Sequence, residues 1–86
     1  MKRLSQKLVG QAVYVEWIDS HYGSGWNRNP PVIEPLLGKS ISWVTAIGQI
    51  GLVLTAHMTA EDEPQREGEM TIPICAITKI VVLTIP

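Results

Sequence analysis

The sequence contains a single cysteine, Cys75, among its 86 residues. One cysteine excludes an intrachain disulfide, and it leaves no cluster of thiolates that could hold a structural zinc ion. We expect Cys75 to be a small buried side chain. Internal repeats and apolar runs long enough to cross a bilayer are also absent. No apolar signal-peptide core follows the basic residues Lys2 and Arg3, which predicts a cytoplasmic protein.

Charged side chains are also scarce, at 17% of the chain against about 25% in typical soluble domains. The formal net charge is −1, so no positive field would attract a phosphate backbone, and nucleic-acid binding is disfavoured. Hydrophobic residues, in contrast, make up 45% of the chain. In a single domain spanning residues 1–86, part of this apolar surface is expected to be buried between subunits. The composition therefore predicts a homo-oligomer.

Motifs for catalysis and metal binding are missing as well. Neither HxxxH nor HExxH spacing occurs, so the two histidines are not expected to form a metal site. No serine or cysteine has an evident base and orienting acid. The sequence therefore predicts a protein that is not an enzyme and that needs no cofactor.

Apolar residues alternate with polar ones along most of the chain, which is typical of β-strands. Pro73 marks a bend or an edge strand, and residues 48–51 supply a tight turn. The last strand is apolar on both faces, which favours pairing of edge strands in a dimer or ring. Five strands are predicted, over about residues 8–18, 40–49 and 52–59 and from near residues 70 and 79. The fold class is all-β, a small and strongly bent five-stranded barrel.

A long connection, residues 19–39, separates the first two predicted strands. Its prolines fix extended or turn geometry at several points. Loops of this length in small domains are usually functional or disordered, and the apolar side chains Trp26, Val32 and Ile33 argue against disorder. We expect the segment to fold back over the barrel.

The start of this connection holds most of the candidate binding chemistry. Aromatic rings beside an acid and several hydroxyls suit a flat, polar, partly apolar ligand such as a nucleotide or a peptide turn. Glycines there would let a ligand approach the backbone closely. A histidine on the third strand belongs to the more polar face of that strand. The candidate ligand-binding residues are Trp17, Asp19, Ser20, Tyr22, Ser24, Gly25, Trp26 and His57.

Each candidate also has a purely structural interpretation. Asp19 can be a turn former whose carboxylate accepts backbone N–H groups, and Trp17 shares a face with core valines. Trp26 is either a lid that staples the long loop or a stacking platform for a base. His57 can be a hydrogen-bonded structural histidine. The acidic run over residues 61–69 is interpreted as a solvated loop, with a partner-binding surface as the alternative.

Parts of the chain resemble known families. Residues 71–80 resemble the strand, short turn and final strand that end Sm-like barrels, in which an Ala-Ile pair closes the core. The motifs VEWxDS, GW, LVLxAH and TIPxxAI are similar, in that order, to a family of small bacteriophage proteins of unassigned activity. RNA-binding Sm-like proteins carry a basic residue or histidine in the last turn, whereas Cys75 precedes Ala76 here. The resemblance implies a phage-encoded Sm-like barrel that acts in the host cytoplasm.

Three functions remain open at this point. The first is a non-catalytic oligomer that sequesters a small nucleotide-like ligand, by analogy with phage sponges that counter host defence signalling. The second is a protein-interaction module that binds a host or virion protein through an edge strand or the long loop. The third is an Sm-like nucleic-acid binder.

Overall fold

A computed structural model describes residues 4–19 and 25–86 of the chain. A short 3-10 helix at Gln6–Leu8 precedes the first strand, and a second one at Ile74–Ala76 joins the last two strands. The five strands are β1 at Ala12–Asp19, β2 at Leu36–Ile47, β3 at Gly51–Met58, β4 at Arg66–Pro73 and β5 at Ile77–Val82.

The strands form one antiparallel sheet in the order β4-β3-β2-β1-β5. The all-β prediction with five strands is therefore confirmed. The term barrel applies only loosely, because the sheet is not closed: β4 and β5 lie at its opposite edges rather than pairing with each other. The sheet is nevertheless interrupted by register shifts at Glu16/Trp17 and Val44/Ala46, and such irregularities bend strands.

The core follows from the two-residue period of the strands. Alternate residues point to one face of the sheet, and the apolar members of that set are buried against one another, with Leu4, Leu8 and Trp17 packed at their margin. The buried cluster consists of Val13, Val15, Val44, Leu52, Leu54, Ile72 and Ile77.

Three strands begin about four residues from their predicted positions. The stretch before Ala12 forms a 3-10 turn because the Ser5 hydroxyl accepts the backbone N–H of Lys7, which caps that turn. The second strand begins at Leu36, within the stretch predicted as loop. The fourth begins at Arg66, so the acidic residues at positions 67 and 69 belong to a strand instead of a loop. The turn at residues 48–51 is confirmed by a hydrogen bond of 2.8 Å from Gly48 N to Gly51 O.

The described part of the segment between β1 and β2, residues 25–35, does not fold back over the sheet. Residues 25–35, called the arm below, are all exposed, and the side chain of Ile33 is 85% accessible. The radius of gyration is 15.8 Å, whereas a compact domain of this length would have about 12 Å. For the arm, the expectation of a loop packed on the barrel was wrong, because its prolines favour extended backbone and none of its apolar side chains is buried.

Cys75 is exposed within the second 3-10 helix, so the expectation of a buried cysteine was also wrong. The helix breaks the two-residue period between Pro73 and Ile77. Ile74 and Ile77 point into the core, and Cys75 points to solvent between them.

Candidate functional site

Trp17, a member of the predicted site, is held against the sheet by contacts with β2. It lies on the core side of β1, half-buried, and its indole N–H donates a hydrogen bond of 3.1 Å to the Ser40 hydroxyl on β2. Its ring covers Gly38, the residue opposite it in the β1–β2 ladder, where any Cβ would overlap the indole. Glycine is therefore required at position 38 for the ring to lie flat against the sheet.

A cleft called the slot here opens beside Trp17, with a volume of about 190 Å³. It lies where the end of β1 faces the end of β4 and the second 3-10 helix. Trp17 and Asp19, two of the predicted site residues, both line it. The remaining lining residues are Ile18, Met70, Thr71, Ile72, Pro73 and Ala76.

The other side of Trp17 borders a second cleft of about 250 Å³, which includes Gly38 and Thr78. Sites for drug-sized ligands usually measure about 300–1,000 Å³. Each cleft beside Trp17 is therefore large enough for one side chain or one planar ring, and smaller than a typical site for a whole nucleotide.

Trp26, the described residue of the predicted aromatic platform, does not lie at this slot. Trp26 is fully exposed, at 106% of its reference area, and Gly25 before it adopts a positive φ of 85° with open space around it. Asn27 makes a local turn in which its side-chain oxygen accepts the N–H of Asn29 at 2.9 Å. Trp26 thus neither staples the loop as a lid nor stacks beside Trp17, because the arm leads away from the sheet. The predicted residues Ser20, Tyr22 and Ser24 lie outside the described residues.

His57 belongs to a different part of the molecule. Its side chain is 76% exposed, and Nε2 lies 3.7 Å from a carboxylate oxygen of Glu67 on β4. It lines a shallow cleft at the far end of the β3–β4 hairpin that shares no residue with the slot. The structure therefore brings Trp17 and Asp19 together and separates His57 from both.

Most of the slot was not predicted from the sequence. Met70, Ile72 and Ala76 line the slot together with Trp17 although they are more than 50 residues away in sequence, and such a long-range arrangement leaves no local pattern. The one available signal was Pro73, which indicated either a bend or an edge strand, and β4 is an edge of the sheet.

The sheet surface opposite the core carries an unusual number of exposed apolar side chains. Residues paired across an antiparallel ladder share a face, so the registers of β1, β2 and β5 define this surface. Leu37 and Ile41 on β2 are 79% and 70% exposed, and Val81 on β5 is 42% exposed. We call this surface the outer face, and it consists of Tyr14, Glu16, Ile18, Leu37, Lys39, Ile41, Trp43, Lys79 and Val81.

A row of charges crosses the outer face. Glu16 lies between Lys39 on β2 and Lys79 on β5, each directly opposite it in its ladder. The Tyr14 hydroxyl donates a hydrogen bond to the Glu16 carboxylate. This hydrogen bond, together with desolvation and the negative charge of Glu16, raises the pKa of Tyr14 above its ordinary value.

A polar network lies on the same side of the sheet across β2, β3 and β4. Thr55 is fully buried, and its hydroxyl lies 2.8 Å from that of Thr45 and 3.5 Å from a carboxylate oxygen of Glu69. Arg66 donates to Glu69 through Nε at 2.8 Å. Burial of the Thr55 hydroxyl is thus compensated by hydrogen bonds, which gives this network a structural role.

Among residues 4–19 and 25–86, no three or more His, Cys, Asp or Glu side chains are grouped so that they could hold a metal ion. Within the same part of the chain, no helix combines the length and apolar character needed to span a bilayer. No protein-family model, curated protein or solved structure matches this chain.

Proposed function

We propose that this protein is a non-catalytic binding protein that takes up an extended polypeptide along the edge of β4, with one apolar side chain of that polypeptide in the slot. The observation that carries the proposal is an open edge strand directly beside a small, mostly apolar cleft. Peptides that add a strand to a sheet gain affinity from main-chain hydrogen bonds and specificity from pockets for alternate side chains.

The backbone of β4 has suitable groups for this pairing. The N–H of Ile74 donates to the carbonyl of Ile50 at 2.8 Å. In an antiparallel ladder, every second residue of a strand directs its N–H and C=O groups towards the same neighbouring strand. The backbone groups of Ile72 and Met70 therefore face β3, and those of residues 69 and 71 face outward. An added strand would pair with these outward groups, next to the slot.

The size and lining of the slot favour a side chain over a nucleotide. Its volume of about 190 Å³ is below the range of about 300–1,000 Å³ for small-molecule sites. Met70, Ile72 and Pro73 give it one apolar wall, and the Trp17 ring gives it another. An aliphatic side chain of the partner would bury apolar area there without leaving polar groups unpaired.

A selection from a library of random peptides on the immobilised protein tests this proposal. Calorimetry on the selected peptides should show that Thr71→Pro weakens binding about tenfold, since it removes an outward N–H and each 1.4 kcal/mol is about a factor of ten. Thr84→Pro, an exposed change outside the strands, is the matched control. Ala76→Leu should fill the slot and weaken binding similarly, whereas Ala60→Leu in the hairpin loop should not. Peptides that bind all four variants as they bind the parent would refute the proposal.

A small nucleotide-like ligand is the second candidate. The observation in its favour is that Trp17 and Asp19, an aromatic ring and a carboxylate, line one cleft. With the resemblance to bacteriophage proteins, this would make the chain a phage-encoded sponge in the host cytoplasm that counters defence signalling. Mass spectrometry on the supernatant of the denatured, purified protein distinguishes the two candidates. A stoichiometric released nucleotide would favour the sponge, and its absence together with slot-dependent peptide binding would favour the polypeptide partner.

A further inference from the structure

Each chain carries two exposed apolar surfaces, the arm and the outer face, and we propose that they bind each other between two copies of the protein. In this arrangement the arm of one copy lies on the outer face of its partner, and the exchange is reciprocal. Ile18 is the one residue of the outer face that also lines the slot, and the β4 edge takes no part in the exchange.

The arm is built to reach another molecule. Pro30, Pro31 and Pro35 fix φ near −65°, and each restricts the residue before it to extended conformations. This stiffness holds Val32 and Ile33 away from the sheet, where they are 61% and 85% exposed. A sharp reversal onto the chain's own outer face would have to occur at Pro35, directly before β2. The outer face of a second molecule can be reached without this reversal of the chain.

The length of the arm and the number of residues in the two surfaces agree with this arrangement. The 11 residues from 25 to 35 span at most about 36–40 Å when extended, which exceeds the width of about 10 Å across the three strands of the outer face. Arm and outer face together supply about 20 residues from each copy, close to the 20–30 residues a side of stable interfaces. A reciprocal exchange doubles each contact, because a two-fold interface repeats every contact.

The charges of the two surfaces are complementary. The arm carries Arg28 and Glu34, and the outer face carries Glu16 between two lysines. Glu34 has a lysine to approach on either side of the row, whereas Arg28, about 20 Å away along an extended arm, would lie outside it. Opposite charges at the rim of an interface favour the correct register and disfavour wrong partners.

A complementation experiment with single-residue variants tests the pairing. Ile33→Glu alters the arm, and Ile41→Lys alters the outer face. The controls are Ile50→Glu and Ile50→Lys, since Ile50 lies in the β2–β3 turn and matches Ile33 at 85% exposed. Light scattering should show a dimer for the parent and both controls at micromolar concentration, and a dissociation constant raised about tenfold or more for each of the two variants.

Mixing the two variants gives the decisive result. Native mass spectrometry should show a heterodimer above its statistical share, because the unaltered arm of one chain meets the unaltered outer face of the other. A parent that is monomeric, an arm variant or face variant that dimerises like the parent, or a mixture without excess heterodimer would each overturn the proposal. Circular dichroism checks that the variants fold, and Val81→Lys on β5 replaces Ile41→Lys if that change disturbs β2.

Discussion

At the scale of single residues, Trp17 shows what local sequence can and cannot reveal. The two-residue period placed it on the same face as Val13 and Val15, and the structure confirms that it packs at the margin of their cluster. Its partners Ser40 and Gly38 are more than 20 residues away in sequence, and no local pattern connects them to it. The exposure of Trp26, which lies in the arm, was equally unpredictable from the sequence. An apolar residue type does not reveal whether other side chains will pack against it.

Substitution of Gly38 should be costly because of the Trp17 ring. A methyl group at position 38 would overlap the indole, which is held by its hydrogen bond to Ser40. Gly38→Ala should therefore lower the free energy of unfolding by about 1–3 kcal/mol, the usual cost of overpacking. Gly48→Ala is the control, because its Cβ would meet only ordinary contact at 3.8 Å. Urea denaturation measures both, and equal stabilities would contradict the described packing.

The pKa of Tyr14 should fall when its hydrogen-bond acceptor is removed. Glu16 raises that pKa above the ordinary 10.0 by accepting the phenolic proton and by its charge. Because the folded-state pKa is raised, the associated stabilisation is complete below pH 10.0 and is lost as the pH rises through the raised pKa. Glu16→Ala should shift the titration of Tyr14 downward.

This shift can be followed by ultraviolet absorbance in a Tyr22→Phe background, which leaves Tyr14 as the only tyrosine. Glu67→Ala, a change of an exposed glutamate on β4, should leave the titration where it is. A Tyr14 titration that does not move in Glu16→Ala would mean that the hydrogen bond is not formed in solution.

At the scale of elements, strand identity was predictable and strand boundaries were less so. Alternation of apolar residues located all five strands, because one face of each packs on the core. The acidic residues Glu67 and Glu69 were assigned to a loop on composition, yet pairing with β3 draws them into β4. Pairing energy from a neighbouring strand thus overrides a weak local preference. The 3-10 helix at Ile74–Ala76, which exposes Cys75, has no periodic signal of its own.

Gly68, the single glycine of β4, should be sensitive to substitution. Its φ is 72°, and a Cβ there would lie 2.9 Å from the Cβ of Ala56. Gly68→Ala should lose about 1–2 kcal/mol from backbone strain and more from the clash. Gly10 has a φ of 90° and open space around it. Gly10→Ala therefore measures the cost of backbone strain without a steric clash. Chemical denaturation should show a larger loss for Gly68→Ala, and equal losses would contradict the close approach of β4 to β3.

At the scale of the whole molecule, composition and period predicted the all-β class but not the open sheet. Closure depends on whether β4 and β5 meet, which is a property of sheet curvature and not of either strand's sequence. The open edges and the extended arm leave much of the 45% hydrophobic content at the surface. The homo-oligomer predicted from that content remains a prediction, now with the arm and the outer face as its proposed contacts.

The outward amides of β4 provide the most direct test of polypeptide binding. Hydrogen exchange of the backbone amides, read by nuclear magnetic resonance with and without a selected peptide, reports on each N–H separately. We predict slower exchange at Thr71 and Glu69 when the peptide is bound, with little change at Ile72 and Met70, which already face β3. Peptide binding that leaves Thr71 and Glu69 unprotected would contradict strand addition at this edge.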